Sequence, residues 1–118
     1  MSASILIVED EYLIAHELAE ALKEAGFALL GICASVPAAL ARIEAEDGCD
    51  AAVLDASLRE VSSVPVAEAL SARGIPFVVV SGFSADQLPP ALAAAPLINK
   101  PAEADDLVAM LREMMARG

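Results

Sequence analysis

Short apolar runs alternate with helix-like stretches along almost all of this 118-residue chain. Between the runs, apolar residues recur three and four positions apart, which is typical of helices with one buried face. Strands joined by helices run parallel, and helices then cover both faces of the sheet. The sequence therefore predicts an α/β fold with a doubly wound parallel sheet of five strands, placed at residues 5–8, 28–33, 51–54, 77–80 and 97–99.

Local signals mark where the predicted helices begin and end. Gly26 and Gly74 are typical of the residue after a helix, whereas Ser35 with Pro37, and later Pro101, are typical of helix starts. The third helix is predicted over residues 64–72. The last helix is predicted to carry acids in its first turn and an apolar inner face, which are respectively Glu103, Asp105 and Asp106, and Leu107, Met110, Leu111 and Met114.

The fourth helix is the exception to this regularity. Ser84 and Gln87 have the spacing of a capping box, but Pro89 and Pro90 follow within one turn. Proline inside a helix removes a hydrogen-bond donor and clashes with the preceding turn. We therefore predict a long loop with a short helix from about Pro90 to Ala94.

Composition excludes several classes of protein. The formal net charge of −11 and seven scattered basic residues argue against direct nucleic-acid binding, which needs clustered lysine and arginine. No apolar run approaches the ~20 residues of a membrane span. The N-terminus lacks the basic segment of an export signal, so we expect a soluble, cytoplasmic protein with one domain over residues 1–118. Cys33 and Cys49 are expected to be reduced thiols and His16 a surface residue.

Chemically active side chains stand where the predicted strands end. Glu9 and Asp10 follow the first strand, Asp55 the third, Ser81 the fourth and Lys100 the fifth. In a parallel sheet of order 2-1-3-4-5, the ends of strands one and three are neighbours about 4.8 Å apart. Three carboxylates, a hydroxyl and an ammonium group are thus predicted to meet in one crevice.

This arrangement resembles the receiver domain of bacterial response regulators, over the whole chain. The resemblance implies a flavodoxin-like fold and a phosphoacceptor aspartate at Asp55. It implies that Mg²⁺ is held by Glu9, Asp10, Asp55 and the backbone carbonyl of Ser57. It also implies that Ser81 and Lys100 bind the phosphoryl oxygens.

The chemistry of phosphoryl transfer is consistent with these residues. An aspartate that attacks a phosphohistidine approaches an anionic group, so a hard cation must neutralise the accumulating charge. Mg²⁺ prefers oxygen ligands, usually one or two carboxylates with waters and phosphate oxygens. A lysine supplies a further positive charge for a phosphate oxygen.

Some positions depart from the usual receiver pattern. Leu97 occupies the place of the aromatic residue that usually moves upon phosphorylation, and Phe83 is the candidate substitute. The run Pro76–Phe83 is similar to a subfamily with a Phe-Ala-Thr-Gly-x-Tyr motif on strand four, whose fourth helix is short. Arg59 and the pair Ser62-Ser63 stand where receivers usually have proline and glycine.

The resemblance favours a phosphorylatable switch served by a histidine kinase or a histidine phosphotransfer protein. Such a chain would act on an unidentified downstream protein or drain phosphate from a shared kinase, without being a turnover enzyme. One alternative is a phosphate-independent interaction module, indicated by Arg59, Ser63 and Leu97. A Mg²⁺-dependent phosphatase is disfavoured, because Ser57 replaces the second catalytic aspartate of that class.

Overall fold

The computed structural model describes residues 3–45, 49–59 and 61–117. We number the strands of the main sheet β1 to β5. The elements in chain order are β1 Ser4–Val8, α1 Tyr12–Glu24, β2 Ala28–Cys33, α2 Val36–Glu44, β3 Ala51–Asp55, α3 Val64–Ala72, β4 Phe77–Ser81, α4 Pro90–Ala93, β5 Leu97–Asn99 and α5 Ala104–Arg117. A short 3₁₀ turn at Ala85–Gln87 precedes α4.

The five strands form one parallel sheet in the order β2-β1-β3-β4-β5, which confirms the predicted topology. Alternate residues of each strand face opposite sides, because side chains alternate across a pleated sheet. Leu6 and Val8 pack in a core that includes α2 and α3 residues, whereas Ile5 and Ile7 pack in a second core with α1 and α5 residues. Helices therefore cover both faces, as predicted.

The predicted helix boundaries agree with most of the observed ones. Gly26 and Gly74 adopt positive φ values of 95° and 69° after α1 and α3, the conformation that ends a helix without a side-chain penalty. The Ser35 hydroxyl oxygen accepts the N–H of Ala38 at 3.3 Å and caps α2. The region of the fourth helix contains the expected short helix, with its first residue at Pro90.

Two local predictions were wrong. The last helix begins at Ala104 rather than at Pro101, so Glu103 precedes the helix instead of lying in its first turn. The backbone N–H of Lys100 donates to the carbonyl of Ser81 at 2.8 Å, which extends the strand pairing and delays the helix. The Lys100–Pro101 peptide bond is cis.

The second difference is an unexpected hairpin between β3 and α3. Its two strands, Ser57–Leu58 and Val61–Ser62, pair antiparallel through Ser57 with Ser62 and Leu58 with Val61. We call residues 57–62 the 57–62 hairpin. It interrupts the strict strand–helix alternation that the sequence predicted.

The remaining expectations concern isolated residues. Cys33 is buried and Cys49 partly buried, and both are free thiols as predicted. His16 is exposed, with its ring centroid 4.2 Å from that of Tyr12. No helix in the described part of the chain has the length and apolar character that a bilayer crossing requires.

Candidate phosphoryl and metal site

Three acidic residues meet at the carboxyl ends of β1 and β3. Val8 lies beside Leu54 in the sheet, so Glu9 and Asp10 leave β1 next to Asp55, the last residue of β3. One carboxylate oxygen from each of the three residues lies within 4.8 Å of the other two. Glu9 and Asp55 are 3% and 4% exposed, whereas Asp10 is intermediate. The predicted acidic cluster is therefore present in the structure.

Glu9 has an unusual protonation equilibrium. Burial raises its pKa to about 8, and the negative charge of Asp55 acts in the same direction. At neutral pH the metal-free protein therefore keeps Glu9 mostly protonated. A protonated carboxyl is a hydrogen-bond donor, and Asp55 and Asp10 are both within its reach. The proton thereby reduces the repulsion within the cluster.

Asp10 remains ionised for a different reason. Its burial alone would raise its pKa, but the backbone N–H of Arg59 donates to Asp10 Oδ2 at 2.9 Å and the resulting pKa lies below the usual value. The donor lies 49 residues away in sequence. The 57–62 hairpin thus contacts the acid that follows β1.

Asp55 is held at both of its carboxylate oxygens. Lys100 Nζ lies 2.8 Å from Oδ2, and the backbone N–H of Ser57 donates to Oδ1 at 3.1 Å. Burial of Lys100 acts to lower its pKa, but the hydrogen bond and charge of Asp55 outweigh this effect and raise it. Lys100 is therefore cationic at neutral pH, and the ion pair fixes the orientation of the Asp55 carboxylate.

Ser81 is buried at the end of β4, with 2% of its surface exposed. Its hydroxyl oxygen accepts the N–H of Phe83 at 2.9 Å, so the hydroxyl proton is available to another acceptor. The Asn99 side-chain amide donates to the carbonyl of Phe83 at 3.0 Å and approaches that of Ser81 at 3.4 Å. The sequence did not indicate a role for Asn99. Its position directly before Lys100 was the one feature that could have suggested that it lies near the site.

The predicted site residues are thus brought to one edge of the sheet. Glu9, Asp10, Asp55 and Lys100 are joined by the distances above, and Ser81 follows Val80, which lies beside Asp55 in the sheet. Ser57 is exposed and contacts Asp55 through its N–H; a metal contact of its carbonyl stays a prediction. Clustered carboxylate oxygens suit a hard divalent cation such as Mg²⁺, so the residues fit that ion.

Comparisons with known proteins agree with this geometry. The sequence matches the family described as "Response regulator receiver domain" over residues 5–112. Sensory transduction protein RegX3 of Mycolicibacterium smegmatis is 34% identical over 119 residues, which cover 98% of this chain and 51% of RegX3. RegX3 of Mycobacterium tuberculosis strain H37Rv is also 34% identical, with 52% of its length covered. The chain therefore spans about half the length of these curated relatives.

Solved structures show the same similarity. The solution structure of SdrG from Sphingomonas melonis Fr1 has a TM-score of 0.81 and 41% identity, with 97% of each chain covered. The BeF3-activated conformation of SdrG, from Pseudomonas melonis Fr1, has a TM-score of 0.78 and 42% identity, covering 98% of this chain and 99% of SdrG. With the family match over most of its length, the chain belongs to the response regulator receiver domains, the phosphorylatable switches of two-component signalling.

Proposed function

We propose that this chain accepts a phosphoryl group on the Asp55 carboxylate from the phosphohistidine of a histidine kinase or phosphotransfer protein. The observation that carries this proposal is the Lys100–Asp55 ion pair of 2.8 Å beside a cluster of carboxylates. The ion pair orients a nucleophile and places a cation beside it. An isolated salt bridge would not need two further acids at the same edge.

The reaction follows from these groups. A carboxylate oxygen of Asp55 forms a bond to phosphorus as the bond between phosphorus and the donor imidazole nitrogen breaks, and that nitrogen takes up a proton. Lys100 and the hydroxyl of Ser81 would bind oxygens of the transferred group.

We propose that Glu9, Asp10, Asp55 and the backbone carbonyl of Ser57 hold Mg²⁺. When bound, this ion would neutralise charge on the phosphoryl oxygens during transfer. Glu9 must lose its proton to serve as a ligand, since metal ligands bind in the deprotonated form. The clustered carboxylate oxygens support this assignment.

The surface response would begin at Ser81. A phosphoryl group that draws the Ser81 hydroxyl toward Asp55 competes with the hydrogen bond from the Phe83 N–H, so we propose that Phe83 moves in place of the aromatic residue that Leu97 replaces. The sequence likeness of Pro76–Phe83 to the Phe-Ala-Thr-Gly-x-Tyr subfamily supports this role. The relative SdrG adopts a BeF3-activated conformation, and we propose that this chain responds to the same treatment.

We also propose that residues 1–118 form one receiver domain that works in the cytoplasm, where a kinase phosphohistidine can reach it. Its output would be protein contacts or withdrawal of phosphate from a shared kinase. The downstream protein would be recognised through the loops that follow β3 and β4, because these loops contact the phosphoryl site.

Incubation with acetyl phosphate and Mg²⁺, followed by intact mass spectrometry, tests the proposed function. We expect one labile phosphoryl adduct in the wild type and in Asp105→Asn, which changes an exposed aspartate of α5. Asp55→Asn or addition of a chelator should abolish the adduct. A wild type without adduct would favour the phosphate-independent module, and sustained hydrolysis of varied phosphate esters would indicate a phosphatase.

A further inference from the structure

The connection within the 57–62 hairpin has an unusual backbone conformation. Arg59 directly follows Leu58, the last residue of the first strand, and the second strand begins at Val61. Arg59 has a φ of 52°. Among the residues that the structure describes, no other residue except glycine has a positive φ. Two-residue hairpin connections favour positive φ at their first position, because this matches the twist of the strands. The positive φ of Arg59 is therefore the conformation that a hairpin connection of this length favours.

The same hairpin directs backbone N–H groups at two different carboxylates. Ser57, at its base, donates to Asp55 Oδ1 at 3.1 Å, and Arg59, at its turn, donates to Asp10 Oδ2 at 2.9 Å. Leu58 stands between them, is 1% exposed and packs in the core. Both donors therefore belong to a short segment anchored in the interior.

We propose that the 57–62 hairpin positions Asp10 and Asp55 relative to each other for a divalent cation, and that Arg59 contributes through its backbone conformation rather than its guanidinium. This inference rests on the proposed Mg²⁺ site. Arg59 is a positioning residue, since its N–H contacts a proposed ligand and not the ion.

The negative charges of the site explain why Asp10 needs a hydrogen-bond donor that holds it in place. Carboxylates that share a small volume repel one another, and Asp10 is the most exposed of the three. Without a donor from outside β1, rotation of its side chain into water would relieve the repulsion. An N–H donor in a fixed position holds Asp10 Oδ2 in place before the cation binds. Less side-chain entropy is then lost upon binding.

The charge of Arg59 offers a competing explanation. A guanidinium near three acids would reduce their repulsion wherever its backbone lay. However, the Arg59 side chain is exposed, and the described residues provide it with no salt bridge. The hydrogen bond to Asp10 comes from the backbone, which any residue able to adopt positive φ retains.

Three substitutions separate the two explanations. Arg59→Asn removes the charge but favours the left-handed conformation, Arg59→Lys keeps the charge, and Arg59→Val introduces a branched side chain that disfavours positive φ. Mg²⁺ affinity is measured calorimetrically by titration with MgCl₂. Hydrogen exchange of the residue-59 amide is measured by NMR without metal, and the thermal midpoint in a chelator monitors the fold.

We expect Arg59→Asn and Arg59→Lys to bind Mg²⁺ within about twofold of the wild type, because both are expected to keep the backbone conformation that directs the residue-59 N–H at Asp10. Arg59→Val should weaken binding on the order of tenfold, as expected for loss of a charge-assisted hydrogen bond. Its residue-59 amide should exchange faster than in the other two variants. Arg59→Asn is thus the control for conformation. If any substitution at this position weakened Mg²⁺ binding, Arg59→Asn would weaken it as much as Arg59→Val does.

Two results would overturn the proposal. Equal weakening in Arg59→Asn and Arg59→Val, with Arg59→Lys unaffected, would assign the effect to the guanidinium. Wild-type affinity in Arg59→Val would show that the hairpin does not position Asp10. Absence of Mg²⁺ binding by the wild type would instead overturn the proposed metal site, and this positioning role with it.

Discussion

The three acidic residues of the site can lie close together because a different interaction offsets the electrostatic repulsion at each of them. Glu9 keeps a proton, since burial raises its pKa to about 8. Asp10 is ionised and accepts a backbone N–H, and Asp55 is paired with Lys100. Removal of one compensating group should therefore affect one acid more than the others.

Lys100→Met tests the compensation at Asp55. We expect its phosphorylation by acetyl phosphate to slow at least about tenfold, because a charge-assisted hydrogen bond to the transferred group is lost. Mg²⁺ affinity should stay equal or increase, since a positive charge near the acids is gone. The matched control is Lys23→Met on the exposed surface of α1. Equal phosphorylation rates for the two variants would contradict the role of Lys100.

At the scale of elements, the carboxyl ends of β1, β3, β4 and β5 and the loops that follow them carry the chemistry. The sequence predicted the regular elements better than these loops. The observed bounds of β2, α3 and β5 equal the predicted ones because their apolar periodicity is clear. The 57–62 hairpin escaped prediction, because strands of two residues have no detectable period and arginine is not a typical turn residue.

The sequence was sufficient to predict which side chains meet at the site, but it did not predict the hydrogen bonds between them. Parallel strands bring their carboxyl ends to one edge, so the positions of Asp55 and Lys100 at strand ends were sufficient to place them together. The start of α5 was misplaced because Lys100 still pairs with β4. The bonds of Asn99 depend on loop geometry, which residue spacing does not encode.

Asn99→Ala tests how β5 restrains the loop after β4. The substitution removes the donor to the carbonyls of Phe83 and Ser81, so the loop should become more mobile and unfolding should require about 1 kcal/mol less free energy. Amide exchange at Gly82 and Phe83 and urea unfolding measure these effects. Gln87→Ala, which removes the Oε1 acceptor of the Ser84 N–H farther along the same loop, is the matched control. Unchanged exchange at Phe83 in Asn99→Ala would contradict the proposed restraint.

The whole molecule is a parallel sheet between two helical layers whose active edge concentrates negative charge. Its formal net charge of −11 increases the repulsion that a site with several acids must overcome. The fold keeps the acids together because they stand at the ends of two adjacent, buried strands: Glu9 and Asp10 directly follow β1, and Asp55 ends β3. A cation that binds only the folded state would stabilise the whole chain.

The stability of the metal-free protein should therefore depend on pH. Between pH 4.5 and about 8, folded Glu9 holds a proton that the unfolded chain has lost, so the free energy of unfolding falls as pH rises. We expect a decrease of at most about 1.4 kcal/mol per pH unit within this window. Chemical unfolding in a chelator at several pH values measures it.

Glu9→Gln provides the control for this pH dependence. It cannot ionise, so its unfolding free energy should change less across the same window. Mg²⁺ should raise the stability of the wild type more at the upper end of the window, where Glu9 loses its proton more readily. Parallel pH profiles for wild type and Glu9→Gln would contradict the raised pKa.

The location of the phosphoryl group tests the central claim most directly. An aspartyl phosphate is an acyl phosphate, which borohydride reduces to homoserine, and peptide mass spectrometry then identifies the modified position. After treatment with acetyl phosphate and Mg²⁺, we predict homoserine at position 55, and none at position 10. Modification at another acid, or none under conditions that phosphorylate a known receiver, would contradict the account.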